Sequence, residues 1–314
     1  MISIGVLVQQ MFILYGMAFI GWIARKTNVL NEHTNQVLTQ LILYFTLPAL
    51  ILFSLDIPFS FSLMKEFVWL VAMSVYILTI SIFLANRMRK RSSLLDSQKS
   101  AYEGIILFGN QGFIGFAIIF ILLGEEGVVY LTMFNLCYFI LIWTYGIYLF
   151  SKNKGSIRWK NIWFNPGTVS TLIGIILFLL PIHFPTTIST GLEMVGKMTI
   201  PLSMMIIGSF ISDIPWKNLM VSLKDSSLWK VAIAKLLIIP LLLLPFTFLS
   251  VPFTLLIVAV IVSGMPSAPT MSLYAQKYGG DAHYASLGVL MTTLLCIVTV
   301  PFLYFVLHYT NGLF

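Results

Sequence analysis

From Gly5 to His308 the chain is a succession of apolar runs, each about as long as a bilayer is thick, separated by short polar gaps. A helix needs about 20 apolar residues to cross the hydrocarbon core. Ten runs come close to or exceed that length: roughly residues 5–24, 38–55, 67–86, 101–123, 127–150, 166–183, 192–211, 228–249, 253–274 and 284–308. In lipid every backbone N–H and C=O must find its partner inside the protein, so such runs fold as helices. The expected fold class is therefore all-α and integral to the membrane. Charged residues make up 9% of the chain, against roughly a quarter in soluble domains, and no gap has room for a soluble domain. The first run lacks a basic leading segment and a small-residue cleavage site, so it reads as a retained span.

The basic residues set the expected orientation. The first, third, fifth, seventh and ninth gaps carry Arg25 and Lys26, then Arg87, Arg89, Lys90, Arg91 and Lys99, then Lys152, Lys154, Arg158 and Lys160, then Lys217 and Lys224, then Lys277. The intervening gaps carry Lys65, Lys197 and the acids Asp56, Glu66, Glu125 and Glu126. Odd gaps are thus expected in the cytoplasm and both termini outside, in a multi-pass protein of the cell (plasma) membrane. The net charge of +7 is spent on this asymmetry and on attraction to anionic lipid, and no nucleic-acid partner is expected. Cys137 and Cys296 both fall inside apolar runs, which fits neither a disulfide framework nor a metal site.

Two runs are chemically odd. The fourth contains Gly109-Asn110-Gln111-Gly112-Phe113-Ile114-Gly115, and the ninth contains Ser263-Gly264-Met265-Pro266-Ser267-Ala268-Pro269-Thr270. Glycine loosens a helix and proline removes a backbone donor. Irregular backbone at membrane depth persists only where protein or a watery cavity covers it. The halves also echo one another: Thr46-Leu47-Pro48 in the second run and Thr199-Ile200-Pro201 in the seventh are offset by 153 residues, and the same offset carries Gly112 onto Met265. Five runs per half is an odd number, so the second copy must be inverted. The expected architecture is ten transmembrane helices in two inverted five-helix repeats, residues 1–155 and 156–314, with the broken fourth and ninth helices crossing. Such a pattern points to a secondary transporter with its site at the breaks.

At such a crossing each break offers one half-helix N-terminus, which favours an anion, and one carbonyl end. Substrate-binding candidates are Gly109, Asn110, Gln111, Gly112, Pro266, Ser267, Ala268, Pro269 and Thr270. Asn110 and Gln111 can instead satisfy only the freed backbone groups. Pro48, Pro201 and Ser203 are candidates for the cavity wall, or the prolines are ordinary membrane kinks. Lys235 is the clearest ionisable group within a helix: it either snorkels to the surface or faces inward, neutralising carbonyl ends or attracting substrate. Glu103 is a candidate partner or proton carrier, or an interfacial carboxylate. Asp281 reads as a helix cap, and Asn165-Pro166 as a cap and first turn.

These stretches, with Tyr274-Ala275-Gln276-Lys277-Tyr278-Gly279-Gly280-Asp281-Ala282, resemble the auxin efflux carrier family, in particular its bacterial malate- or malonate-permease-like members, within the bile/arsenite/riboflavin transporter-like superfamily. One departure is Phe116-Ala117, where bacterial members often carry a proline. The resemblance implies an NhaA-like fold, with a scaffold of helices 1, 2, 6 and 7 and a mobile bundle of helices 3–5 and 8–10. It also implies small organic anions as substrates. No hydrolase or protease motif is present, so no enzyme is expected, and no cofactor or metal. The function expected is a carrier moving a small mono- or dicarboxylate, such as malate or malonate, or an auxin-like aromatic acid, by alternating access. A non-transporting receptor for such an acid is the alternative. H+ and Na+ are the candidate coupling ions, and a homodimer the candidate assembly.

Overall fold

The computed structural model describes residues 4–58, 60–151, 166–180, 182–212, 220 and 223–311. Lys152, Lys154, Arg158, Lys160, Asn165 and Lys217, and the expected boundary between the halves, lie outside the described residues. All regular elements among the described residues are helical. In chain order they are α1 (Ile4–Lys26), α2 (Glu32–Leu55), α3 (Phe61–Arg91), α4 (Asp96–Leu107), α5 (Gln111–Ser151), α6 (Pro166–Leu179), α7 (Thr186–Ser212), α8 (Ser226–Phe248), α9 (Phe253–Ser263), α10 (Thr270–Tyr278) and α11 (Ala282–Asn311). Six of these, α2, α3, α5, α7, α8 and α11, are long and apolar enough to cross a membrane. The protein is an all-helical, multi-pass membrane protein. Several helices outrun their apolar runs, because the polar flanks continue the helical hydrogen bonds: α3 extends the run 67–86 at both ends, and α7 the run 192–211.

Local chemistry explains where the helices start and bend. Asn31 caps α2, its side chain accepting from Thr34 N at 2.9 Å, and Asp225 caps α8 by accepting from Ser227 N at 2.8 Å. Asp281 caps α11 as its sequence suggests, accepting from Tyr284 N at 2.9 Å. Within α5, Gly124 adopts φ 65° and ψ −147° and folds the chain between two helical stretches, a conformation that suits glycine. Wide π turns occupy Ile42–Thr46, ahead of Pro48, and Ala234–Ile238, ahead of Pro240. A proline leaves a carbonyl one turn upstream without its donor, and an extra residue in that turn accommodates the mismatch.

The chain divides into two compact units. The first comprises Met1–Val68, Gly112–Leu136 and Trp163–Ile214, and the second Trp69–Gln111, Cys137–Ile162 and Pro215–Phe314. In the first unit, α1 lies backbone to backbone against α7: a methyl at Gly208 would fall 1.7 Å from the Ala18 carbonyl oxygen, and one at Gly21 would fall 1.9 Å from that of Met205. A methyl at Gly174 of α6 would likewise strike Leu55 of α2. Close approach of this kind is how membrane helices gain packing energy where lipid offers no hydrophobic drive. Thr199 Oγ1 donates to Thr46 Oγ1 at 2.9 Å, and Asn35 Nδ2 to Ser209 Oγ at 2.8 Å. These buried bonds link α2 to α7.

Candidate functional site

The site is built inside the second unit, where two interrupted helices meet. α4 stops at Leu107, and Phe108 turns extended with φ −96° and ψ 117°. α9 stops at Ser263, and α10 starts at Thr270. Between these ends the two chains pair antiparallel, Gly109 opposite Ser267. Asn110 N donates to Pro266 O at 2.6 Å, and Ala268 N to Phe108 O at 2.9 Å. A short piece of ladder thus satisfies groups that broken helices would leave bare. The sequence brings these residues together for a plain reason: prolines at 266 and 269 cannot continue a helix, and the facing glycine has no side chain to hold the strands apart.

Side chains brace the pairing. Ser267 Oγ donates to Ile105 O at 2.6 Å, and Ser267 N to Thr292 Oγ1 at 3.0 Å, tying the break between α9 and α10 to α4 and α11. Tyr138 Oη donates to Gly109 O at 2.5 Å, and its ring meets Phe108 edge-on. Asn110 and Gln111 are buried, and Gln111 Oε1 has no hydrogen-bond partner among the described residues. Pro266, Ser267 and Ala268 are buried, whereas Pro269, Thr270 and Gly112 are half-buried.

Lys235 settles the choice between snorkelling and facing inward. It is only 2% exposed, and its Nζ donates to Leu107 O, the carbonyl end of α4, at 3.4 Å. A methyl on Gly109 would stand 3.0 Å from that Nζ. The residue sits in the π turn of α8. Among the described residues no carboxylate pairs with it. Glu103 is not its partner. That carboxylate is fully buried against Arg89, with Nε to Oε2 at 2.7 Å, and accepts from Tyr145 Oη at 2.5 Å. Glu103 instead forms a buried ion pair that joins α3, α4 and α5. Sequence reasoning missed Arg89 and Tyr145 as its partners; the spacing of Arg89 within a basic loop gave no sign that one of those cations turns inward.

The remaining candidates lie in the first unit. Pro48 follows the π turn of α2 and is half-buried. Pro201 is exposed, and Ser203 is buried with its Oγ lacking a partner among the described residues. The crossing brings together a buried amine, the side chain of Gln111, and the helix starts at Gln111 and Thr270. That combination suits a small anion. Cys137 and Cys296 are free thiols.

Comparison with known proteins agrees with a transporter. A family model described as "Membrane transport protein" matches residues 6–162 and 153–304. The chain is 21% identical over 309 residues to a putative malonate transporter of Rhizobium meliloti, covering 94% of this chain and 93% of that protein. It is 25% identical over 292 residues to an uncharacterized transporter of Methanothermobacter thermautotrophicus, covering 91% and 93%. Another uncharacterized transporter, from Methanocaldococcus jannaschii, is 25% identical over 206 residues, covering 62% of this chain and 66% of the relative.

Proposed function

The chain belongs to the membrane transport protein family, that of the auxin efflux carriers, and from that premise we propose that it is a secondary carrier for a small organic anion. Its substrate is a mono- or dicarboxylate of the size of malonate or malate, bound at the crossing and released by alternating access. The observation that carries this reading is Lys235, buried beside the broken end of α4 with no carboxylate among the described residues paired with it. An isolated charge in a low-dielectric interior is costly, and a carboxylate arriving at the crossing offsets that cost. Gly109 puts no side chain against the amine, and the amide of Gln111 supplies a donor for a further oxygen. The name of the Rhizobium relative supports a dicarboxylate over an aromatic acid.

The proposed frame is ten helices in two inverted repeats. The 153-residue offset supports it: the threonines it relates, Thr46 and Thr199, hydrogen-bond to one another, and it carries Gly21 onto Gly174, each a point of helix contact. In this reading α1, α2, α6 and α7 hold still while the crossing moves. Uptake of labelled malonate, malate and indole-3-acetate into proteoliposomes tests the proposal. Saturable entry of one of them is expected. Saturable binding without entry would make the protein a receptor, and neither binding nor entry of any of the three would remove the organic anion from the account.

A further inference from the structure

An open cavity of about 230 Å³ lies in the same unit, away from the crossing, where the basic end of α3 meets the start of α8. Two cations, Arg91 and Lys230, line it, with the hydroxyl-bearing Ser92, Ser93, Tyr102 and Ser226, and no carboxylate lines it. Tyr102 is 2% exposed and lines the cavity. Its hydroxyl can donate to a ligand on that wall. The carboxylate of the adjoining Asp225 is engaged, accepting from Ser227 N at 2.8 Å and Ser227 Oγ at 2.7 Å. Arg91 and Lys230 have no acidic partner among the described residues. Two cations and a ring of donors, with no competing acid on the wall, match one kind of ligand: a phosphate group, whose oxygens accept from guanidinium, ammonium and hydroxyl alike.

The face of α3 leading to the cavity indicates where that phosphate comes from. Phe83, Arg87 and Arg91 are spaced four apart and exposed, Phe83 at 67%. Residues at that spacing share a helix face. An exposed aromatic is thus followed by two cations on one face at the point where the apolar span ends, as an acyl chain rising to its headgroup would require. We propose that the cavity holds the phosphate of an anionic phospholipid, clasped by Arg91, Lys230 and Tyr102. The site is independent of the anion crossing, since none of its residues belongs to that crossing.

The test uses the full chain in detergent, with phosphatidylglycerol, phosphatidylcholine and inorganic phosphate as probes, read by native mass spectrometry for retained lipid and by thermal unfolding. Wild type is expected to retain one phosphatidylglycerol and to gain thermal stability from it. The double variant R91Q/K230Q is expected to bind it roughly tenfold more weakly or worse, and Tyr102→Phe to weaken it by a smaller factor. The charge-matched variant K90Q/K224Q removes two exposed cations that neither line the cavity nor lie on the face of Phe83, Arg87 and Arg91, and is expected to keep the bound lipid. Equal loss in both double variants would reduce the effect to general surface charge and overturn the proposal. So would full retention by R91Q/K230Q. Stabilisation by inorganic phosphate but not by phosphatidylglycerol would overturn the lipid as the source.

Discussion

Lys235 and Gly109 act as a pair, one supplying a charge and the other the space in front of it. Lys235→Met keeps the length of the side chain and removes a buried charge, so thermal stability is expected to hold or rise. Anion uptake is expected to fall roughly tenfold to a hundredfold, the worth of one charge-assisted hydrogen bond of about 1.5–3 kcal/mol. A variant that unfolds would show the lysine to be structural, and one with normal uptake would move the site. Gly109→Ala tests the same space from the opposite side. Its methyl would lie 3.0 Å from Lys235 Nζ, 3.1 Å from Cε and 3.3 Å from Met265 O. The flexible lysine end can give way, so about 1 kcal/mol of stability is expected to be lost while uptake drops with the displaced amine. Uptake kinetics and a melting curve on the same preparation separate the two effects. The sequence displayed Lys235 but not its direction. Whether a lysine two turns inside a span snorkels or turns inward depends on the π turn that Pro240 imposes and on the groups across the gap, and neither is local to the residue.

At the level of elements, the breaks were legible and the braces were not. Glycine with amides in one apolar run and paired prolines in another announce interrupted helices because backbone donors and conformational limits are properties of the residue itself. Tyr138, Thr292 and Arg89 reach the breaks or the buried Glu103 from helices far away in sequence, and no spacing rule connects them. The same division holds for the contact between α1 and α7. Gly16 and Gly208 look alike as glycines in apolar helices, yet a methyl at Gly16 meets nothing within 4 Å, whereas one at Gly208 would fall 1.7 Å from the Ala18 carbonyl oxygen. Gly16→Ala is expected to leave stability unchanged or to raise it by up to about 1 kcal/mol through helix propensity. Gly208→Ala must push two backbones apart, with an expected cost of about 3 kcal/mol or failure to fold. Size-exclusion profiles and melting midpoints of the two variants decide the matter; equal behaviour would mean that α1 and α7 do not pack as described.

For the molecule as a whole, the 153-residue offset read from the sequence relates Thr46 and Thr199, which hydrogen-bond to one another. Helix lengths were less legible, since charged flanks such as Arg87 to Arg91 prolong α3 beyond its apolar stretch. In the proposed inverted-repeat frame, two facing copies of one motif give two nearly equivalent conformations, one open to each side. If the binding site itself is carried between them, its return is part of every cycle, and a loaded site returns by the same route as it came. A channel has no such step, and a receptor has no return at all. Proteoliposomes preloaded with unlabelled malonate are therefore expected to take up labelled malonate several-fold faster than empty ones, because cargo inside speeds the return. The acceleration should vanish in Lys235→Met, which removes the charge that distinguishes the loaded site from the empty one. Entry that neither saturates nor responds to preloading would indicate a pore, and the two broken helices would then line a path instead of carrying a cargo.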